Sequence, residues 1–191
     1  MPRRLALIAG LLLALVLASY AVAAQSEGAE IDLRFPVPGQ AVLDQNGKHL
    51  FFYADLIKNK TVAINFIFTT CTSSCPLSTA VFRQVQKRLG KQKVQLITIS
   101  VDPANDTPER LLAFSQKFKA GPGWVFVTGE QAAISSILRS LGAYTGDNND
   151  HSNMVIVGND AGHAWTRIYG FPQTDEIISA LKNIAGASKV R

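Results

Sequence analysis

Charge is scarce in this chain. Only 17% of its 191 residues are Asp, Glu, Lys or Arg, against about a quarter in ordinary globular proteins. With 47% apolar residues, the composition excludes an intrinsically disordered chain, which stays unfolded through high charge and few apolar side chains. Cysteine is scarcer still, and two residues cannot staple a small secreted scaffold. No glycine-rich phosphate loop, dinucleotide fingerprint or hydrolase nucleophile elbow occurs, so nucleotide-driven and serine-hydrolase chemistry lose their usual signatures. The net charge is small as well. With Arg3 and Arg4 set apart, 17 basic against 14 acidic residues leave +3. That excess is too weak to argue for nucleic acid as a partner and gives only mild attraction to anionic surfaces.

What is present begins at the N-terminus. Pro2-Arg3-Arg4 forms a positive head, Leu5 to Leu17 is a nearly unbroken apolar run, and small residues follow at Ala21, Ala23 and Ala24. This is the layout of an export signal. Leu5 to Ala24 also gives 20 residues without a charge, just enough to span a bilayer. Residues 1–24 are therefore read as a signal peptide or an N-terminal membrane anchor, and residues 25–191 as one exported domain. That domain is expected in the periplasm, soluble or anchored to the inner membrane, where disulfides can form.

The exported part carries alternating strand and helix signals. Ala41 to Leu43 and His49 to Tyr53 flank an Asn46-Gly47 turn, a hairpin signature. Thr61 to Phe68 and Val94 to Val101 are apolar on both faces, as covered central strands are. Leu77, Val81, Val85 and Leu89, with Phe82 beside them, form a helix stripe. Thr107-Pro108-Glu109 opens a second helix with core face Leu111, Phe114, Ser115 and Phe118. A short strand, Trp124 to Thr128, precedes a third helix with Ile134, Ile137, Leu138 and Leu141 facing inward. Asn153 to Val157 and His163 to Tyr169 flank a five-residue turn, and Thr174 starts a last helix. The expected fold class is α/β, a mixed sheet covered by helices on both faces, with an N-terminal β-hairpin.

The chemistry concentrates in Phe68-Thr69-Thr70-Cys71-Thr72-Ser73-Ser74-Cys75-Pro76. This segment joins the carboxyl end of a central strand to a helix, where open α/β sheets place their ligands. Pro76 disfavours helical geometry in the preceding residue, which predicts Cys75 near the N-cap and Pro76 at the first helical position. A helix N-terminus favours thiolate. Thiolate is both the nucleophile of disulfide exchange and a soft ligand for copper(I). Three intervening residues let the two sulfurs meet, as a disulfide or around one metal.

A metal would need a third donor. His49 follows a hairpin turn and His163 begins a strand after another, so both read as surface residues. His151 precedes the strand Asn153 to Val157. If that strand runs antiparallel to Thr61–Phe68, it starts at the cysteine edge; a plain loop histidine is the rival reading. Met154 reads as core, and the carboxylates of Asp102 and Asp106 read as turn and cap chemistry.

Taken together, these segments resemble the Sco/SenC family of exported copper proteins. The likeness rests on Cys71-Thr-Ser-Ser-Cys75-Pro76 after an apolar strand, Val101-Asp102-Pro103 with Asp106-Thr107-Pro108, and Asp150-His151-Ser152 before a strand. It implies a thioredoxin-like fold and a copper site, Cu(I) or also Cu(II), formed by Cys71, Cys75 and His151. It also implies a redox-active Cys71–Cys75 disulfide. The role implied is assisting assembly of the dicopper centre of cytochrome c oxidase, with subunit II or another respiratory copper protein as partner. The loop departs from many family members in having Thr72-Ser73-Ser74 where they carry Pro-Asp. The alternative is a thioredoxin-fold disulfide reductase or thiol peroxidase without copper. Against it, Phe68 stands where peroxiredoxin-like chains carry proline, and His151 would have no role.

Overall fold

The two runs that are apolar on both faces form the centre of a sheet, because only a covered strand can bury both of its sides. The computed structural model describes residues 40–146 and 153–187. In chain order its elements are β1 (Ala41–Asp44), β2 (His49–Phe51), a π-helical turn (Phe52–Ile57), β3 (Thr61–Ile67), α1 (Ser74–Leu89) and β4 (Val94–Ser100). They continue with α2 (Pro108–Lys117), β5 (Trp124–Thr128), α3 (Gln131–Leu141), β6 (Met154–Asn159), β7 (Ala164–Tyr169) and α4 (Thr174–Ala187). The seven strands make one sheet in the order β2-β1-β5-β4-β3-β6-β7. β3 pairs in parallel with β4, and β4 in parallel with β5. β1 lies antiparallel on β5, and β6 antiparallel on β3. The mixed sheet expected from the sequence is thus observed.

Alternation along β3 divides the core in two. Val62, Ile64 and Phe66 face Ile134, Ile137, Leu138 and Leu141 of α3 together with Phe52, Leu56 and Ile57 of the π-helical turn. Ala63 and Ile67 face the other side, packed with Phe82 and Val85 of α1, Leu111 of α2, and Ile177 and Leu181 of α4. Helices therefore cover both faces. Each fully buried side chain of this size contributes roughly 1.5–3 kcal/mol relative to exposure. The core fixes the level of β3, and with it the place where the chain leaves β3 at Phe68.

Several local expectations are corrected. Leu77 is 64% exposed; the buried face of α1 is Cys75, Thr79, Phe82, Val85 and Leu89, so the stripe is rotated away from Leu77. Helix α1 starts at Ser74 with Ser73 as N-cap, so Cys75 and Pro76 both lie inside its first turn. That is tolerated because the first four helical N–H groups have no intrahelical acceptor, and proline there sacrifices no hydrogen bond. Phe52 and Tyr53 leave the second strand for the π-helical turn. The β6–β7 turn is shorter than expected, since Gly158 and Asn159 remain in β6. Gly158 is opposite Trp165, whose ring would stand 2.0 Å from any Cβ there; the glycine makes room for the indole.

Candidate functional site

Cys71 lies in the turn that closes β3, its N–H donating to the Phe68 carbonyl at 3.1 Å. Cys75 lies one turn into the chain ahead, on the core side of α1. Neither is in a disulfide, Cys71 being half-buried and Cys75 buried. The backbone N–H of Cys75 donates to Cys71 Sγ at 3.3 Å, so a free donor of the helix N-terminus points directly at the sulfur. The hydroxyls of Ser74 and Ser73 lie 3.6 Å and 3.9 Å from the same sulfur.

The two thiols are driven apart in acidity. Partial burial of Cys71 works against its thiolate. The hydrogen bonds from the Cys75 thiol and N–H, the Ser73 backbone and the Ser74 hydroxyl outweigh it, bringing Cys71 down to about 6. Burial raises Cys75, and its hydrogen bond and charge contact with Cys71 raise it further, to about 12. Near neutral pH the pair is one thiolate, at the outer position, and one thiol that donates to it. Such a pair holds a ready nucleophile and a proton-bearing second sulfur within contact.

The outer position of the thiolate has a direct consequence. Thiolate fraction, and so alkylation by iodoacetamide, should be high for Cys71 at pH 7 and fall as pH is lowered through about 6. Cys75, buried and held near 12, should stay unmodified across that range. Peptide mass spectrometry after timed alkylation reads both residues; equal labelling would refute the asymmetry.

The loop is held from beneath by a residue that sequence reasoning assigned to turn and cap chemistry. Asp106 is fully buried. Its carboxyl group accepts from Thr69 N–H at 3.1 Å, from the Thr69 hydroxyl, and from Ser100 Oγ at 2.6 Å. Ser100 Oγ in turn accepts from Asp102 N–H at 3.0 Å. Asp106 therefore ties the end of β3 to the end of β4, two residues before Cys71. A signal was available: Thr107 already caps α2, accepting from Arg110 N–H, so a second cap residue beside it is redundant.

The remaining candidates separate clearly. Met154 is buried core, as expected. His163 is exposed, in the β6–β7 turn at the edge opposite Cys71. His49 is exposed and borders a cleft that Pro103, Asp106 and Thr107 also line. His151 lies outside the described residues, as do residues 1–39. The condition set for it is met by its neighbour in sequence: β6 runs antiparallel to β3, with Val155 opposite Asn65, so β6 begins at the cysteine edge. Among the described residues no three His, Cys, Asp or Glu side chains converge to hold a metal.

Comparison with known proteins follows the same outline. The family model described as SCO1/SenC matches residues 40–186. The SCO1 protein homolog of Bacillus subtilis (strain 168) is 30% identical over 164 residues, covering 79% of this chain and 83% of the relative. The solved structure of BsSco is similar at 27% identity and a TM-score of 0.67, covering 87% of this chain and 98% of its own. BsSco is described as carrying a disulfide switch, in a family of cytochrome c oxidase assembly proteins. ScoI of Bradyrhizobium japonicum, solved with copper bound, is similar at 26% identity and a TM-score of 0.63, covering 82% and 98%.

Proposed function

This chain belongs to the SCO1/SenC family, and from that premise we propose that it binds copper(I) and hands it on during assembly of a respiratory copper centre. The ligands in this reading are Cys71, Cys75 and His151. The observation that carries it is the sulfur pair at the end of β3, one member already a thiolate at neutral pH. Soft sulfur donors select copper(I) over harder cations, and a relative of the same fold holds copper. His151 is two residues ahead of Asn153, and two residues of extended chain reach about 7 Å. That tether starts from the edge where Cys71 sits.

Copper(I) is cargo here, and the chain supplies the donors. Loading displaces the proton of Cys75, because a ligating cysteine must be deprotonated. The same pair supports disulfide exchange. The Cys71 thiolate attacks a partner disulfide, forming a mixed disulfide and releasing one partner thiolate. With the Cys71 charge gone, one cause of the high Cys75 value disappears. Cys75 then loses its proton and attacks Cys71 Sγ, freeing the second partner thiolate. Two electrons pass to the partner and a Cys71–Cys75 disulfide remains. This favours a role in which copper delivery and reduction of the recipient's cysteines share one site. The recipient in this reading is the dicopper subunit II of cytochrome c oxidase or another respiratory copper protein. The N-terminal segment directs the domain to the periplasmic side of the membrane.

The test is anaerobic titration of the fully reduced chain with copper(I). Saturation is expected near one equivalent, with release of about one proton at pH 7 from Cys75, and binding is expected to vanish after oxidation of the pair. Saturation unchanged by oxidation would refute the site.

A further inference from the structure

Lysine is distributed one-sidedly in this fold, in a way the small net charge conceals. The start of β3, the end of α1 and the start of β4 meet α4 around a cleft of about 390 Å³ at the edge opposite Cys71, lined by Thr61, Leu89, Val94, Lys93 and Lys182 among others. The segment after α2 joins the same edge, with Gly121 bonded to the Gln86 side chain and Gly123 to Leu96. Exposed there are Lys58, Lys91, Lys93, Lys117, Lys119 and Lys182. The loops at the cysteine edge, residues 68–73, 101–107 and 170–173, contain neither lysine nor arginine. The six exposed lysines outnumber the acids beside them. Asp160 keeps its single charge while accepting from the Tyr53 hydroxyl and Asn59 N–H, and Asp175 pairs with Arg88.

We propose that this lysine pole docks on an anionic phospholipid bilayer, holding Cys71 and Cys75 on the face turned away from it. Charge complementarity carries the choice of partner, since clustered lysines near an anionic leaflet each add to attraction. The cleft sharpens it. Buried Leu89, Ile178 and Leu181 with half-buried Val94 line it alongside Lys93 and Lys182, so these two ammonium groups stand at the mouth of an apolar recess, a setting that a free inorganic anion would not use. β1 begins at the cysteine edge, beside the end of β5, and residues 25–39 separate it from any anchor retained at the N-terminus. Fifteen residues span about 50 Å when extended. Docking therefore points the thiols toward whatever stands above the membrane.

The full chain would be placed in nanodiscs of phosphatidylcholine alone or of phosphatidylcholine with phosphatidylglycerol, and its lysines labelled with an amine-reactive reagent. In both discs the apolar N-terminal segment is equally free to insert, so the comparison isolates the pole. Labelling of Lys58, Lys91, Lys93, Lys117, Lys119 and Lys182 should fall about five-fold in the anionic discs and recover at high salt, while alkylation of Cys71 stays equal. The combined variant Lys91→Gln, Lys93→Gln and Lys182→Gln should return Lys58, Lys117 and Lys119 to their labelling in neutral discs. Equal lysine labelling in the two lipids, as an acidic protein partner would produce, overturns the proposal. Loss of Cys71 alkylation along with the lysines overturns it too.

Discussion

Cys71→Ser should remove tight copper(I) binding, and His151→Ala should weaken it by at least about ten-fold while leaving the thiol pair reactive. The first expectation follows from the charge at Cys71. Its sulfur is the site's one thiolate near neutral pH, stabilised by the Cys75 N–H and the neighbouring hydroxyls. A serine oxygen there would be protonated and hard, and copper(I) discriminates against both. The second follows from donor number. Two sulfurs suffice for disulfide exchange, whereas a trigonal copper(I) site needs a third donor. Disturbing a group that merely orients a ligand already costs about 10–100-fold in metal affinity. Competition against a calibrated copper(I) chelator measures affinity, and timed alkylation of Cys71 measures the thiol. His163→Ala serves as control, because His163 lies at the far edge of the sheet. Unchanged affinity in His151→Ala would remove it from the ligand set and shift the balance to a thiol enzyme without copper.

Those two residues also mark what the sequence makes legible and what it hides. The apolar faces of Thr61 to Phe68 and Val94 to Val101 mark both as covered central strands, and the structure pairs them in parallel over seven residues. The direction of β6 has no such signal, because burial of Met154 to Val157 suits either sense, and its antiparallel run is seen only in the register with β3. The phase of α1 was less accessible. Leu77 and Cys75 are both apolar, and a stripe drawn through Leu77 fits the same period as the true one through Cys75, Thr79 and Phe82. The difference between two cysteines four residues apart has no counterpart in sequence at all. It arises because one sulfur sits in front of a helix N-terminus and the other beneath it. Lysine clustering is hidden for a related reason: Lys58, Lys93, Lys119 and Lys182 are distant in sequence and share one edge of the sheet only because β3 and β4 start there and α2 ends there.

Asp106→Ala should loosen the cysteine loop enough to raise the pKa of Cys71 from about 6 toward the ordinary thiol value of about 8.5. The argument starts from burial. Asp106 accepts from the Thr69 backbone, the Thr69 hydroxyl and Ser100 Oγ at a position with no solvent exposure. Alanine leaves those donors without partners, at about 1–3 kcal/mol for each one that stays buried. The cheapest relief is for Thr69 to turn toward water. Thr69 is two residues from Cys71, whose low value depends on a 3.3 Å contact with the Cys75 N–H. A shift of the loop that lengthens this contact takes away a stabilising donor while burial still opposes the thiolate. Asp106→Asn supplies the discriminating variant. Its amide oxygen can still accept from Thr69 N–H, but its NH₂ cannot accept from Ser100, so Cys71 should move part of the way. Melting temperature alone would fall in both variants for purely structural reasons. The alkylation midpoint of Cys71 against pH would rise only if Asp106 positions the loop. A midpoint that stays near 6 in a folded Asp106→Ala chain would reduce Asp106 to a brace between β3 and β4, with no hold on the thiolate.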